Sequence, residues 1–148
     1  MTPKNWNKIA IGVDLGGTKV NTLAVTNRGR VVGRDKRDTQ AAGGREHVMD
    51  RISESVLAAM EDAGAGKRSV AGVGIGSAGA LDRKRGLIYY APNMPGWRNV
   101  RLRDGVSRRT GLPCLLENDA NAAAFAEVWL GAGKGLQDLV MITLGTGV

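Results

Sequence analysis

The feature that constrains the fold most is the stretch of residues 9–26, which reads IAIGVDLGGTKVNTLAVT. Apolar β-branched residues alternate with small ones over residues 9–13, and this period of two predicts a buried strand. A second strand-like run covers residues 20–26, so that Gly16 and Gly17 lie between two strands. We expect these glycines to form a tight turn at positive φ, which leaves backbone N–H groups uncovered by side chains.

The residues beside these glycines suit a phosphate group. Uncovered amides next to the Thr18 hydroxyl and the Lys19 ammonium can bind an anion. Asp14, at the end of the first strand, could hold a phosphate-bound magnesium ion, directly or through water, since this ion prefers oxygen ligands. A Walker A loop is excluded because the order is Gly-Gly-Thr-Lys and a strand follows it. On these residues alone, an ordinary hairpin without a ligand fits equally well.

Composition places the chain among globular proteins. Its 148 residues are 43% hydrophobic and 24% charged, which suits one domain with a core. A disulfide framework and a thiolate metal cluster are excluded, because Cys114 is the single cysteine. No apolar run approaches the roughly 20 residues of a membrane span, and no signal-peptide pattern begins the sequence. We therefore expect a cytoplasmic protein that has no membrane partner.

The formal charge of +7 does not by itself indicate a nucleic-acid partner. Basic residues are scattered along the chain, and aromatic residues make up only 4% of it, so no basic run is interleaved with stacking rings. We expect a solvated surface that attracts anionic substrates, and no nucleic acid.

Periodicity predicts the remaining elements and their order. A third strand over residues 31–39 becomes increasingly polar, as an edge strand does. The further predicted elements are a helix, a strand, a helix, a strand, a helix and a strand, over residues 45–63, 70–77, 100–110, 114–116, 122–130 and 139–144. The order β-β-β-α-β-α-β-α predicts an α/β fold with a mixed sheet covered by helices.

The fourth strand contains glycines that imitate a dinucleotide-binding fingerprint. Gly74, Gly76 and Gly79 spell G-x-G-x-x-G, but a polar turn over residues 80–86 follows instead of a helix. No acidic residue lies at the required distance of about 20 positions, so we exclude NAD binding. These glycines instead allow a ligand to approach the carboxyl end of the strand.

Asn93 lies in a loop that two prolines, Pro92 and Pro95, restrict. Its amide offers both a donor and an acceptor, which suits a hydroxylated ligand. A plain proline–asparagine turn fits these residues equally well.

Asn118 and Asp119 come directly after a predicted buried strand and before a predicted helix. Either side chain fits as the N-cap of that helix. The carboxyl end of such a strand is also where α/β sheets bind ligands, so the carboxylate could accept a proton from an alcohol that attacks a phosphate. Both interpretations remain open on these residues alone.

Five motifs in order give the chain a resemblance to a known family. DLGGTK, GIGSAGALD, APNMPGW, LENDANAAAFAE and LGTGV resemble the ROK family of bacterial sugar kinases, and among them its ATP-dependent glucokinases. The resemblance covers the chain from Ile9 onward and implies the actin-like, ribonuclease H-like fold, which is an α/β fold with a mixed sheet.

The resemblance also implies roles for residues at the matching positions. Asp119 matches the general base that takes the proton of the sugar 6-hydroxyl. Positions that contact the sugar are matched by Gly79, Asn93, Asn118 and Asp119. The two phosphate-binding turns are matched by Asp14, Gly16, Gly17, Thr18 and Lys19, and by Gly145, Thr146 and Gly147. ATP would be the phosphoryl donor, magnesium would lie at Asp14, and glucose would be the acceptor.

The chain departs from the family pattern after its last motif. Family members continue into a second domain with a glycine-rich run, a sugar-binding histidine and glutamate, and a cysteine-rich zinc site, and the ligands of that structural zinc are absent here. We therefore expect a lead-in over residues 1–8, an N-terminal actin-like domain over 9–134, and the first strand and turn of a second domain over 135–148. Such a chain alone should bind nucleotide weakly and turn over little, and the complete protein should form a dimer or tetramer.

Other functions within reach of this resemblance are kept as alternatives. One is a kinase for another hexose: fructose, mannose, N-acetylmannosamine or N-acetylglucosamine. A second is a sugar-responsive ROK transcriptional repressor, which would need a helix-turn-helix ahead of the roughly eight residues that precede the first strand. A third is a non-catalytic sugar-binding module.

Overall fold

The structure, a computed structural model, describes residues 8–144 and contains eight strands and three helices in that range. The elements are, in order, β1 (Ile9–Leu15), β2 (Lys19–Val25), β3 (Val31–Asp38), α1 (Gly44–Asp62), β4 (Val70–Ser77), β5 (Ala80–Asp82), β6 (Leu87–Tyr90), β7 (Arg98–Val100), α2 (Leu102–Thr110), β8 (Cys114–Asn118) and α3 (Asp119–Leu130). The predicted β-β-β-α-β-α-β-α order is confirmed, with three further short strands inserted between β4 and α2.

The main sheet has five strands in the order β3-β2-β1-β4-β8. Antiparallel pairing joins β3 to β2 and β2 to β1, whereas β1, β4 and β8 run parallel. The sheet is therefore mixed and β3 is an edge, as predicted. Leu15 pairs with Ser77 and Ser77 with Asn118, so the carboxyl ends of the three parallel strands lie side by side at one edge.

One face of this sheet, called the packed face, lies against α1 and α2. A row of paired residues crosses it from β2 to β8, and every member is buried: Thr22, Val13, Ile75 and Leu116. The predicted apolar stripe of α1 covers the sheet with buried side chains such as Val48, Ile52 and Val56. Since alternate strand residues point to opposite faces, the same strands can bury this face and leave the other one open.

The opposite face, called the open face, carries small or exposed residues in the neighbouring row. That row, again from β2 to β8, is Leu23, Gly12, Gly74 and Leu115. A β-carbon added at Gly12 or Gly74 would contact nothing within 4 Å. The helix α3 contacts β4 and β8, but none of its own residues is buried.

The inserted strands form a second, three-stranded antiparallel sheet in the order β5-β6-β7. The predicted polar turn over residues 80–86 is wrong in part, because Ala80–Asp82 pairs with β6. Its predicted helix start at residue 100 was also too early, since Val100 pairs with Ile88 in this sheet. Strands of three or four residues are too short to show a clear period, and pairing with neighbours forms them instead.

Two further expectations differ from the structure. Residues 139–144 form no strand, and within the described range nothing pairs with them: Val140 is 91% exposed. A strand needs a neighbour to receive its hydrogen bonds, and apolar alternation alone does not supply one. The predicted helix over 122–130 begins three residues earlier, at Asp119. Across residues 8–144, none of the helices is both long and apolar enough to cross a membrane.

Candidate active site

The candidate site lies at the edge where the parallel strands β1, β4 and β8 end. The turn after β1 contains Gly16 and Gly17, Gly79 follows β4, and Asp119 follows β8. Because the ends of these strands are paired in register, the three connecting segments leave the sheet at the same edge. This edge is where α/β sheets place their ligands.

Three hydrogen bonds hold the turn between β1 and β2. The Gly16 amide donates to the Lys19 carbonyl at 2.9 Å. From the end of β3, the Thr39 amide donates to the Thr18 carbonyl at 2.8 Å, and the Thr39 hydroxyl donates to the Gly16 carbonyl at 2.7 Å. Among residues 8–144, no acceptor contacts the N–H groups of Gly17 and Thr18. The carbonyls of Gly16 and Thr18 are therefore engaged, and the amides of Gly17 and Thr18 are available for an anion.

The glycines of this turn serve a different purpose from the one the sequence suggested. Gly16 and Gly17 are not among the residues at positive φ, so the expected left-handed turn is wrong. A β-carbon at Gly17 would instead lie 2.6 Å from the Asn93 carbonyl oxygen, closer than real β-carbons approach. Gly17 is therefore required by the close approach of another loop, one of the established uses of glycine.

The two charged residues of the turn have different surroundings. Asn21 Nδ2 lies 3.4 Å from Asp14 Oδ2, a long contact that leaves the carboxylate oxygens largely available. The Lys19 ammonium forms an ion pair with Asp38 on β3, and this hydrogen bond lowers the pKa of the Asp38 carboxyl. Both side chains of this pair are about half exposed, which makes it a weak one.

The junction of β8 and α3 orients Asp119. Asn118 is the N-cap: its Oδ1 accepts from the amides of Ala120 at 3.0 Å and Asn121 at 3.2 Å. The N-cap is therefore Asn118. Asp119 is the first residue of the helix, and its carboxylate is not needed as the cap. Asp119 Oδ1 accepts from the Ala120 amide at 2.8 Å, and its side chain is exposed.

Glu117 fixes this junction from the preceding position. Its Oε1 accepts from the Asn118 amide at 2.9 Å and from Asn121 Nδ2 at 3.1 Å, while Oε2 accepts from Arg83 Nη1 at 2.7 Å. Burial opposes ionisation of Glu117, but the hydrogen bonds from Arg83, Asn121 and Asn118 outweigh it and hold the pKa of this carboxyl below its ordinary value. Arg83 lies after β5, so this ion pair ties the small sheet to the start of α3.

Gly79 lies against the end of β6, and Asn93 lies in the loop that follows β6. Gly79 has a φ of +100°, and a β-carbon there would lie 2.2 Å from the Tyr90 carbonyl oxygen. Both the backbone conformation and the close approach therefore require glycine. The loop that follows, residues 91–97, is anchored by the buried Met94 and Trp97 and places Asn93 against Gly17.

A single cavity of about 1080 Å³ contains both carboxylates that the sequence singled out, Asp14 and Asp119. Its polar end is a paired row across the sheet, on the same face as the apolar row of the open face and two residues along each strand from it: Asn21, Asp14, Gly76 and Glu117. An arrangement on opposite sides of the domain would have contradicted a shared phosphoryl-transfer site. The other sequence-predicted site residues within the described range do not line this cavity: Gly16, Gly17, Thr18, Lys19, Gly79, Asn93 and Asn118.

Some sequence-predicted site residues fall outside this arrangement, and some positioning residues were missed. Gly145, Thr146 and Gly147 lie beyond the described residues. Within the described range, no group of three or more His, Cys, Asp or Glu side chains could hold a metal ion. Thr39 and Glu117 could not be recognised as positioning residues from the sequence, because their roles depend on which strands pair and at which register. A polar residue at each strand end was the only available signal.

Comparison with known proteins identifies the family of this chain. The ROK family model matches residues 10–148. The glucokinase of Thermotoga maritima is 44% identical over 138 residues, which are 93% of this chain and 42% of that protein. The chain thus spans about two fifths of the length of the curated relatives it matches.

Two solved structures share the fold. The ROK family glucokinase from Streptomyces griseus in complex with glucose and AMPPNP has a TM-score of 0.77 and 43% identity, covering 86% of this chain and 38% of that one. The ROK hexokinase from Thermus thermophilus has a TM-score of 0.77 and 37% identity, covering 86% of this chain and 40% of that one. The predicted actin-like α/β fold is confirmed by these sugar kinases. The chain belongs to the ROK family.

Proposed function

We propose that the full product of the reading frame containing this chain is a glucokinase, which transfers the γ-phosphoryl group of ATP to the 6-hydroxyl of glucose. The observation that carries the proposal is that Asp14 and Asp119 line one cavity at the edge where the parallel strands end. The likeness to a glucokinase structure that holds glucose and AMPPNP supports the choice of both substrates.

In this proposal Asp119 is the general base. Its carboxylate is exposed at the first position of α3. One oxygen accepts from the Ala120 amide, which holds the side chain in one orientation and leaves the other oxygen for a substrate hydroxyl. The base removes a proton as the alcohol attacks, while most of the catalytic effect comes from positioning and charge neutralisation.

The sugar would be held by groups around this base. Asn118 and Asn93 offer side-chain amides that suit hydroxyl groups. The Asn118 carbonyl oxygen is already used in capping α3, so its Nδ2 group is the part available to a sugar. Gly79 would contact the sugar through its backbone, since the Tyr90 carbonyl occupies the place where a side chain would lie.

The nucleotide phosphates would be held by the turn between β1 and β2. The amides of Gly17 and Thr18 and the Thr18 hydroxyl supply donors, and Lys19 can exchange its exposed partner Asp38 for a phosphate. Asp14 fits magnesium, because its carboxylate has only one long contact and this ion needs few protein ligands beside phosphate and water. When bound, magnesium would neutralise phosphate charge. In this proposal the nucleotide is also bound by Gly145, Thr146 and Gly147, which are not among the described residues.

The test is a hexose panel with the full product of the reading frame, ATP and magnesium. Glucose, mannose, fructose, N-acetylmannosamine and N-acetylglucosamine are compared by kcat/KM, and ³¹P NMR identifies the phosphorylated position. We expect glucose to be preferred and the product to be the 6-phosphate. Failure to phosphorylate any of these sugars would overturn the proposal and favour a non-catalytic binding module.

The chain of 148 residues, tested alone, provides a control for this assay. We expect it to bind nucleotide weakly and to turn over little, since the relatives it matches are more than twice as long. Turnover equal to that of the full product would show that residues 1–148 contain the whole site. Four expectations from the sequence stay predictions. They are the domain boundary at residue 134, the assembly of the complete protein into a dimer or tetramer, the structural zinc of the family, and the cytoplasmic location.

A further inference from the structure

The proposed nucleotide turn and the proposed sugar loop are in direct contact. A β-carbon at Gly17 would lie 2.6 Å from the Asn93 carbonyl oxygen and 2.9 Å from the Asn93 β-carbon. Both distances are below 3.0 Å, which real β-carbons essentially never reach, so a side chain at residue 17 requires one of the segments to move. The atoms in the way belong to the backbone and the β-carbon of Asn93, and rotation of its side chain cannot remove them.

At Gly17 only the close approach to Asn93 requires glycine, and the backbone conformation does not. The φ of Gly17 lies outside the left-handed region, so alanine meets no backbone penalty there. Gly79, by contrast, combines a φ of +100° with a close approach to Tyr90, so a substitution there changes two things at once. Alanine at position 17 is therefore a clean steric probe of the contact with Asn93.

Both sides of the contact are held firmly. The Thr39 amide and hydroxyl fix the turn by their hydrogen bonds to the Thr18 and Gly16 carbonyls. The loop of residues 91–97 is closed by backbone hydrogen bonds, from the Met94 amide to Ala91 at 3.2 Å and from the Trp97 amide to Met94 at 3.2 Å. Trp97 is 1% exposed, which anchors the end of this loop in the core.

We propose that Gly17, although it belongs to the nucleotide turn, is a positioning residue for the sugar: its missing side chain sets the place of Asn93. This inference rests on the proposed function, because it takes Asn93 as a sugar contact. A side chain at residue 17 pushes the loop outward and moves the Asn93 amide away from the hydroxyl it binds. The same contact lets a displacement of the nucleotide turn reach the sugar loop.

The first test is Gly17→Ala in the full product of the reading frame. We expect the KM for glucose to rise about tenfold or more, because misplacement of a binding group by an ångström has effects of that order or larger. The KM for ATP should change by less than about threefold, since the backbone amides of the turn remain. Gly66→Ala is the matched control: nothing lies within 4 Å of its added β-carbon, its φ is −83°, and both constants should stay unchanged.

A double-mutant cycle with Asn93→Ala separates this effect from general damage. If Gly17 acts through the Asn93 amide, Gly17→Ala should add little to the glucose KM once that amide is gone. Fully additive effects, or a glucose KM that rises only in parallel with the ATP KM, would overturn the inference while leaving the kinase proposal intact. No phosphoryl transfer by the unsubstituted protein would overturn both.

Thr39→Val gives a second route that leaves Gly17 and Asn93 unchanged. It removes the hydroxyl that holds the Gly16 carbonyl and keeps the shape of the side chain. We expect the glucose KM to rise severalfold together with the ATP KM, and Thr39→Ser, which keeps the hydroxyl, to restore both. A change in the ATP KM alone would show that the turn and the sugar loop are independent.

Discussion

The packed face and the open face of the main sheet differ in almost every physical respect, although the same strands form both. On the packed face Leu116 is 3% exposed, whereas its neighbour Leu115, on the open face of the same strand, is 75% exposed. Val13 and Ile75 are buried on the packed face, while their chain neighbours Gly12 and Gly74 on the open face present no side chain at all. A step of one residue along a strand changes the surroundings completely.

This difference separates the fold from the proposed chemistry. Apolar contact with two helices fills the packed face, and such burial is the main favourable contribution to folding. The open face has glycines on its central strands and apolar side chains on either side of them. At the strand ends Asp14 and Asp119 line one cavity. Substitutions on the two faces should therefore change different quantities: stability on the packed face and turnover on the open face.

The largest effect should follow from Asp119→Asn at the edge of the open face. Asparagine keeps the size of the side chain and can still accept from the Ala120 amide, but it cannot take a proton from an alcohol. We expect kcat of the full product to fall about 10²- to 10⁴-fold, with sugar binding and the melting temperature nearly unchanged. Steady-state kinetics and calorimetric titration with glucose measure these two quantities.

The matched control for this experiment is Glu61→Gln, which also neutralises one exposed carboxylate but lies at the end of α1. It should leave kcat unchanged. Normal turnover by Asp119→Asn would remove Asp119 from the role of base, whatever else the open face binds.

Much of this arrangement follows from local sequence. Alternation over residues 9–13 predicts β1 and which of its residues are buried, because a half-buried strand has a period of two. The spacing of Val48, Ile52 and Val56 predicts α1 for the same kind of reason. Asp14 and Asp119 could be proposed as site residues because each lies at or just after the end of a predicted strand, and strand ends are where α/β sheets bind ligands.

The remaining features depend on contacts between distant segments. The row that joins Asn21, Asp14 and Glu117 depends on the register of strand pairing, which hydrogen bonds across the sheet establish. The close approach of Gly17 to Asn93 joins residues far apart in the chain, so the sequence shows two glycines without the reason for them. The strand predicted over 139–144 failed for the converse reason: its apolar alternation has no paired neighbour within the described residues.

The two leucines of β8 give a direct comparison of the faces. Leu116→Ala should lower the free energy of unfolding by about 3 kcal/mol, because it removes buried methyl groups and leaves a cavity under the helices. Leu115→Ala should lower it by less than about 1 kcal/mol, since an exposed side chain loses little on truncation. Urea unfolding of the two variants measures both values. Equal losses would mean that the open face is covered in the full product.

Thiol reactivity should distinguish the same two faces. Cys114 lies on the packed side of β8, and burial raises the pKa of its thiol to about 11. A cysteine placed next to it by Leu115→Cys should keep an ordinary pKa, so at pH 8 it should react with a thiol reagent more than about a hundredfold faster. Peptide mapping by mass spectrometry assigns the modified residue, and denaturant should make the two thiols equal. Fast labelling of Cys114 in the folded protein would contradict its burial.

The smallest predicted effect concerns a cluster of polar side chains at the edge of the packed face, where β3 and β2 meet α1. Asp35 on β3 accepts from Arg37 Nε at 2.7 Å and from the Ser55 hydroxyl of α1 at 2.7 Å. The Ser55 hydroxyl also lies 2.7 Å from that of Thr22, and both residues are fully buried. The hydrogen bond from Arg37 lowers the pKa of Asp35, against burial, which raises it.

The sign of the resulting pH dependence follows from this direction. A carboxyl whose pKa is lower in the folded state stabilises the protein above its unfolded pKa of about 3.9, and this contribution is lost as the pH falls through the folded value. Asp35→Asn should therefore cost about 1–2 kcal/mol at pH 7 and progressively less below about pH 4, as measured by urea unfolding across that range. Asp138→Asn, which changes an exposed carboxylate, is the control and should give the unsubstituted curve. The free energy of unfolding of Asp35→Asn is compared with that of the unsubstituted protein at each pH. If the difference stays constant down to pH 3, the ionised form of Asp35 does not stabilise the contact between β3 and α1.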